Sequence, residues 1–176
     1  KLALIDPEPE SDAHLAAMLD VVGDRLRWIL CTHTHRDHSP ASRALKAATG
    51  AEVIGMPAPA QDNQDREFAP GRVLKHDEVL DCGAFTLRAV HTPGHASNHL
   101  CYLLDREKLL FTGDHVMQGS TVVIGPPDGN MVAYFRSLES LRSLAIAAIA
   151  PGHGHPIAQP HDEARRLIAR QRALCQ

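Results

Sequence analysis

Three histidines and one aspartate lie within the six residues from 33 to 38, in the sequence His-Thr-His-Arg-Asp-His. His33 and His35 are two positions apart, so their side chains point to the same side of an extended chain and can bind one metal ion. Asp37 and His38 follow where the chain turns, and they can face a second metal ion. Imidazole and carboxylate ligands suit zinc, and also iron, manganese or cobalt. The segment therefore predicts a metal centre.

Three later segments each contribute one more candidate ligand. His95 follows a Pro-Gly turn, which holds the next side chain on a fixed loop. Asp114 ends an apolar run, and its carboxylate has two oxygens that can bridge two cations. His153 lies between two glycines directly after another apolar run. Each signal is weak alone, because Gly-Asp turns and glycine-flanked histidines are common, but together with residues 33–38 they predict one metal site.

Two more histidines flank these candidates. His115 directly follows Asp114, and we expect it to hydrogen-bond a ligand carboxylate or to contact the substrate. His91 precedes the Pro-Gly turn, and we assign it a structural or ligand-orienting role. The glycine- and proline-containing residues 117–131 come next, and they fit a shaped substrate-binding loop and a plain connection to the next helix equally well.

Alternating strands and helices predict a layered α/β fold that positions these residues. Short apolar runs predict strands at 2–5, 27–31, 51–55, 85–90, 99–104, 108–112 and 146–150. Helical spacing and capping residues predict helices from Ser11 to Gly23, from Ser39 to Gly50, over 131–145 and over 161–174. The last helix is predicted to bury Leu167, Ile168 and Leu174. Residues 56–70 are polar and contain prolines, which predicts an exposed loop.

The composition bounds the possible functions. The 176 residues suit a single domain over 1–176, and aromatic residues make up only 4%, so the core must be aliphatic. The net charge of −3 does not support RNA binding, and we expect a small-molecule substrate. No apolar run approaches the length of a membrane span, so no membrane association is expected. The dispersed cysteines predict reduced thiols in the cytoplasm: Cys31, Cys82, Cys101 and Cys175.

The sequence resembles the metallo-β-lactamase superfamily over nearly its whole length. The defining HxHxDH motif of that family is present at residues 33–38. The later single histidine, the bridging aspartate and the last histidine match His95, Asp114 and His153 in the same order. The motifs HTPGH, FTGDH and APGHG are most similar to those of the branch that contains glyoxalase II-like and β-lactamase-like endoribonuclease-type proteins.

The resemblance implies a four-layer αββα sandwich of the metallo-β-lactamase fold. Family domains normally begin with a β-hairpin before the strand matched here by residues 2–5, so we expect this sequence to lack that first hairpin. The resemblance also implies that His33, His35 and His95 hold one metal ion. The second metal ion would be held by Asp37, His38 and His153, and Asp114 would bridge the two.

The function that the resemblance implies is that of a binuclear zinc hydrolase. A hydroxide between the two zinc ions would attack an ester, thioester, lactone, amide or phosphodiester bond. Asp37 and Asp114 would be the catalytic carboxylates, Asp37 by orienting the hydroxide and Asp114 by bridging the metals. Two alternatives stay open: a mononuclear iron oxidoreductase of the same superfamily, similar to the sulfur dioxygenases, and an RNA-processing nuclease. Iron or manganese in place of zinc is compatible with the same ligands.

Overall fold

Two β-sheets and four α-helices make up the chain in the computed structural model, which describes residues 1–60 and 63–174. The chain divides into two units, residues 1–74 (unit 1) and 75–176 (unit 2). Every helix within the described residues is too short or too polar to span a lipid bilayer. Cys31, Cys82 and Cys101 are buried thiols, whereas Cys175 lies outside the described residues.

Unit 1 is built on a parallel sheet of three strands in the order β1-β2-β3. The strands are β1 (Leu2–Ile5), β2 (Leu26–Leu30) and β3 (Glu52–Ile54). Helices α1 (Asp12–Val22) and α2 (Ser42–Thr49) connect them, as parallel strands require a crossover. Since neighbouring parallel strands end at the same edge, the residues after β1 and β2 come together, and these include the first candidate ligands.

The ends of α1 follow from its flanking residues, as predicted. Ser11 is extended, with φ −142°, and its side chain accepts a hydrogen bond from the His14 amide. This satisfies one of the amides that a helix start leaves without an intrahelical partner. Gly23 ends the helix with φ +54°, a conformation that residues other than glycine adopt rarely.

Two predictions for unit 1 need correction. Helix α2 begins at Ser42 and not at Ser39, because the Ser39 hydroxyl donates to Asp65 (2.9 Å) and does not cap the helix. The predicted exposed loop at 56–70 is in part buried: Phe68 is 5% exposed and packs in the core of unit 1. Gln64 is also buried and accepts a hydrogen bond from the Thr34 hydroxyl. Gln61 and Asp62 of this segment lie outside the described residues.

Unit 2 is built on a sheet of five strands in the order β4-β5-β6-β7-β8. The first four are antiparallel neighbours, and the last is parallel to β7. The strands are β4 (Val79–Asp81), β5 (Thr86–His91), β6 (Leu100–Leu104), β7 (Leu109–Gly113) and β8 (Ala148–Pro151). Helix α3 (Met131–Leu141) lies between β7 and β8 in the chain, and helix α4 (Pro160–Leu174) follows β8.

The sequence pattern missed β4 and extended α3 too far. β4 has only three residues, of which only Leu80 is buried, so it carries no pattern long enough to recognise. The predicted helix to residue 145 ends at Leu141, where the Arg142 amide turns back to the Glu139 carbonyl (3.1 Å) and tightens the chain. The predicted burial of Leu167 and Ile168 is confirmed, whereas the side chain of Leu174 lies outside the described residues.

We expect Ile149→Ala to lower the free energy of unfolding by about 2–5 kcal/mol, because it leaves a cavity in the core of unit 2. Ile149 is fully buried on β8. The control is Val132→Ala at a position on α3 that is 61% exposed, where the change should stay within about 0.5 kcal/mol. Urea denaturation followed by circular dichroism measures both, and equal effects would contradict this account of the core.

Candidate functional site

The first two candidate ligands of unit 1 lie side by side directly after β2. His33 is buried and His35 is half-buried. The His33 Nε2 and His35 Nδ1 atoms are 2.9 Å apart. Two nitrogens bound to one tetrahedral zinc ion would be about 3.3 Å apart, so this pair fits a shared metal ion after a small movement. The His35 Nε2 atom lies 2.9 Å from the side-chain amide of Asn63, whose oxygen can accept a proton from it when the amide is rotated.

Asp6 organises this ligand segment through three hydrogen bonds. Its Oδ1 atom accepts from the Thr32 amide (2.7 Å), and its Oδ2 atom accepts from the Thr32 hydroxyl (2.8 Å) and from His38 Nδ1 (2.9 Å). Since the Thr32 hydroxyl gives its only proton to Asp6, it accepts from His33 Nδ1 (3.0 Å). Both histidines therefore carry a proton on Nδ1, and Nε2 is the nitrogen of each ring that can bind a metal ion.

The sequence pattern identifies neither Asp6 nor Thr32 as part of the site. It places Asp6 at the start of a turn, and the φ of +50° at this residue does lie in the left-handed region that turns favour. The signal that could have found Asp6 is its position at the end of β1, the parallel neighbour of the strand that leads into the histidine motif. Because this contact spans 32 residues between Asp6 and His38, no local sequence pattern displays it.

Asp37 and His38 form a second pair of candidate ligands in unit 1. The Asp37 side chain is about half exposed, and its Oδ2 atom lies 3.7 Å from His38 Nε2. The ring of His38 is almost fully buried. Because its Nδ1 atom is held by Asp6, Nε2 lies on the side of the Asp37 carboxylate. Unit 1 thus presents two imidazoles in one pair and an imidazole with a carboxylate in the other.

The three candidate ligands of unit 2 are also brought together, with Asp114 in the middle. Its Oδ2 atom lies 3.7 Å from His95 Nε2, and its Oδ1 atom lies 3.5 Å from His153 Nε2. Each carboxylate oxygen therefore faces a different imidazole. A carboxylate in this arrangement can bind two cations, one through each oxygen.

The Pro-Gly turn before His95 is held against helix α3. The Ser137 hydroxyl donates to the Pro93 carbonyl (2.7 Å). A Cβ atom on Gly94 would lie 2.5 Å from the Tyr134 Cα atom, a distance that no side chain can adopt, so this position requires glycine. His95 Nδ1 donates to the Val123 carbonyl (2.6 Å), which turns Nε2 towards Asp114.

The structure places His115 and His91 apart from this group of three. The His115 ring is fully buried against the edge of the Tyr134 ring, with 5.1 Å between ring centroids. Burial, together with nearby His95, lowers the pKa of His115 to about 3, so the ring is neutral at physiological pH. His91 Nε2 donates to the Ser97 carbonyl (3.0 Å) and braces the turn that carries His95.

Each unit therefore contains imidazole and carboxylate groups that could bind a metal ion. The donor set is mixed nitrogen and oxygen, which suits zinc and other first-row metal ions and fits magnesium or calcium poorly. Three of the imidazoles, those of His33, His38 and His95, have Nδ1 held by an oxygen, and this fixes the tautomer that leaves Nε2 available.

Comparisons with known proteins give a family and several relatives. A family profile described as "Metallo-beta-lactamase superfamily" matches residues 1–153. The thioesterase pkgB of Emericella nidulans is 35% identical over 81% of this chain and 38% of its own length. The hydroxyacylglutathione hydrolase of Methylococcus capsulatus is 35% identical over 72% of this chain and 47% of its own length. The chain thus spans about half or less of the length of these curated relatives.

A solved structure confirms the fold that the sequence predicted. The crystal structure of a metallo-beta-lactamase family protein from Thermus thermophilus matches with a TM-score of 0.83. The match covers 97% of this chain and 71% of the other, at 24% sequence identity. At that identity the likeness concerns the fold, which is mixed α/β with two sheets and four helices in the described part of this chain.

We expect Asp6→Asn to weaken metal binding by about 10- to 100-fold, because an amide has one acceptor oxygen and its NH2 group would face one of the three donors that Asp6 now accepts from. A competition titration with a chromophoric chelator measures the affinity. Asp20→Asn, on the exposed part of α1, is the matched control and should leave it unchanged. An unaltered affinity in Asp6→Asn would show that the Asp6 hydrogen bonds do not orient the ligands.

Tyr134 should make the protein less stable at alkaline pH. Burial, helped by the nearby Cys101 thiol, raises the pKa of its phenol above the ordinary value of 10.0. Above pH 10 the unfolded chain releases this proton and the folded chain retains it. The free energy of unfolding therefore falls by at most about 1.4 kcal/mol per pH unit from this group. Urea denaturation at pH 8 and pH 11 should show a steeper loss for the native protein than for Tyr134→Phe, and parallel losses would contradict the assignment.

Proposed function

This chain belongs to the metallo-β-lactamase superfamily, and we propose on that basis that it is a metal-dependent hydrolase of thioesters. The family resemblance noted from the HxHxDH motif is thereby confirmed. Of the two curated relatives described above, one is named a thioesterase and the other a hydrolase of an acyl-glutathione. Both names describe the hydrolysis of an acyl group that is bound to sulfur, which supports a thioester over the ester, lactone, amide and phosphodiester alternatives.

The proposed centre is binuclear and contains zinc. The order of the family motif assigns His33, His35 and His95 to one zinc ion. The second ion is assigned to Asp37, His38 and His153, with Asp114 as the bridge. The observation that carries this proposal is the position of Asp114, whose two oxygens face two different imidazoles. A carboxylate that binds a single metal ion does not require a different imidazole beside each of its oxygens.

When bound, zinc would lower the pKa of a water molecule towards about 7, so that a nucleophile would be available at neutral pH. The residues of the chain supply orientation. Asp6, directly and through Thr32, holds the rings of His38 and His33 with Nε2 as the donor atom. Asp37 is half exposed, so its carboxylate can accept a hydrogen bond from the attacking water and hold it for reaction.

The charge distribution of unit 2 supports a small-molecule substrate over RNA. The sequence offers the arginines of α4 as a cluster that could begin a basic groove. In the structure, Arg166 is paired with Glu163 (2.8 Å), and Arg165 is paired with Asp162. Arg172 lies 3.8 Å from Glu139. A helix face whose cations are matched by acids is typical of a solvated surface, not of a phosphate-binding groove.

The proposed location is the cytoplasm. Cys31, Cys82 and Cys101 are buried as thiols and not as disulfides, and reduced cysteines are typical of proteins in a reducing compartment. This supports the location that the dispersed cysteines of the sequence predict.

The first experiment is to measure the metal content of the purified protein by element, together with the hydrolysis of an acyl thioester. We expect close to two zinc ions per chain, loss of turnover on chelation, and recovery on adding zinc. Asp114→Asn should lower kcat/KM by at least about a hundredfold and reduce the zinc content, because the bridging carboxylate is lost. Asp105→Asn, which affects a surface ion pair with Arg88, is the control and should behave like the native protein.

The other outcomes identify the alternatives. A single iron ion per chain would favour the mononuclear iron oxidoreductase. Full turnover by Asp114→Asn at full metal loading would exclude the bridging role of Asp114. Hydrolysis of RNA but of no acyl compound would favour the nuclease.

A further inference from the structure

The connection between β7 and α3 contacts two of the turns that carry candidate ligands in unit 2. This segment, residues 117–130, is here named the 117–130 loop. The Val123 carbonyl accepts from His95 Nδ1 (2.6 Å), and the Asp128 carboxylate accepts from the Ser97 amide (3.0 Å). On the other side, the Gln118 side chain accepts from the His155 amide (3.4 Å). The loop is therefore fixed to the segments around both His95 and His153.

The side chains at the centre of the loop point in different directions. Val122 is 4% exposed and belongs to the core of unit 2, and the partly buried Ile124 packs against the same core. Val123 between them is 74% exposed. A single exposed valine is ordinary on a protein surface, so the exposure carries no conclusion by itself. Because Val122 and Ile124 pack in the core, however, the direction of the Val123 side chain between them is fixed.

Val123 lies next to a proposed metal ligand. Its carbonyl oxygen lies 2.6 Å from His95 Nδ1, so its Cα atom lies within about 5 Å of the ring of a proposed metal ligand. Val123 is therefore a neighbour of this ring, and its exposed side chain can contact a group that binds beside the ring. Residues 117–127 contain no Asp, Glu, Lys, Arg or His. This part of the loop therefore offers an uncharged surface, and Val123 forms an apolar part of it beside exposed Gln118 and Ser120. An uncharged, apolar side chain suits a hydrocarbon group better than an anion.

We propose that Val123 determines acyl-chain specificity by contacting the hydrocarbon part of the acyl group. This inference rests on the proposed thioester hydrolysis, and it assigns the acyl portion of the substrate to the 117–130 loop. The main chain of Val123 positions His95, whereas its side chain contacts the substrate. A side-chain substitution leaves the carbonyl in place, so the two roles can be separated by experiment.

The test compares Val123→Ser with Val123→Leu, and uses Val21→Ser as the matched control. Val21 is a 68% exposed valine on α1. The substrates are acetyl, butanoyl, hexanoyl and octanoyl thioesters of N-acetylcysteamine, a small neutral thiol. For the native protein we expect kcat/KM to rise by about two- to fourfold for each added methylene that contacts the loop.

Val123→Ser should lower kcat/KM for the octanoyl thioester by about three- to tenfold and leave that for the acetyl thioester unchanged, because only the longer chain reaches the side chain. Val123→Leu should retain the preference for long chains, and Val21→Ser should match the native protein. Zinc content should be the same in all four proteins. Equal losses for acetyl and octanoyl substrates, a loss of zinc in Val123→Ser, or an unchanged octanoyl activity would each overturn the inference.

A binding measurement separates this inference from the proposed function. The S-octyl thioether of N-acetylcysteamine cannot be hydrolysed, and calorimetry gives its Kd with the zinc-loaded proteins. If the native protein hydrolyses no thioester but binds the thioether more tightly than Val123→Ser does, the proposed function fails and the acyl contact stands. If the native protein binds no thioether, the acyl contact is excluded whatever the activity.

Discussion

At the end of β2 in unit 1, two imidazoles and a threonine hydroxyl are removed from water. The carboxylate of Asp6 accepts from His38 and from Thr32, and the Thr32 hydroxyl accepts from His33. A buried hydrogen-bonding group without a partner costs about 1–3 kcal/mol, and more when it is charged. Thr32, His33 and His38 therefore have one low-energy arrangement, in which every Nδ1 proton is directed to Asp6 or to Thr32. The arrangement of the ligand segment depends on this carboxylate, although Asp6 belongs to a different strand.

In unit 2, backbone groups hold a candidate ligand in place. The His95 ring donates to the main-chain carbonyl of Val123, and the turn that carries it lies so close to helix α3 that only glycine fits at position 94. Asp114 follows β7, which pairs in parallel with β8, the strand that leads towards His153. Neighbouring parallel strands end at the same edge of a sheet, so the carboxylate and the imidazole meet there, and the Gly152 amide joins the two segments by donating to the Gly113 carbonyl (2.8 Å).

The hydrogen bonds to the imidazole rings have the same chemical consequence in both units. Rings whose Nδ1 protons are held by oxygen atoms present Nε2 in a fixed direction before any ligand arrives, so little reorganisation is needed when a metal ion binds. Asp37 and His153 are about half exposed, whereas His33 and His38 are buried. The carboxylate of Asp37 stays accessible to water, which supports its proposed role of orienting the attacking water in addition to binding a metal ion.

The sequence by itself determined the ligand types, their order along the chain, the family, and the approximate positions of the long strands and helices. These features are local: a motif of six residues, an apolar run or a helical spacing is complete within a short window. The tertiary structure alone decided that Asp6 and Thr32 orient the ligands and that Ser39 binds Asp65 instead of capping α2. It also decided that Phe68 is buried in a segment that looks like a surface loop. Each of these depends on groups that are about 26 or more residues apart or on packing, and the free energy of such contacts exists only once the chain has folded.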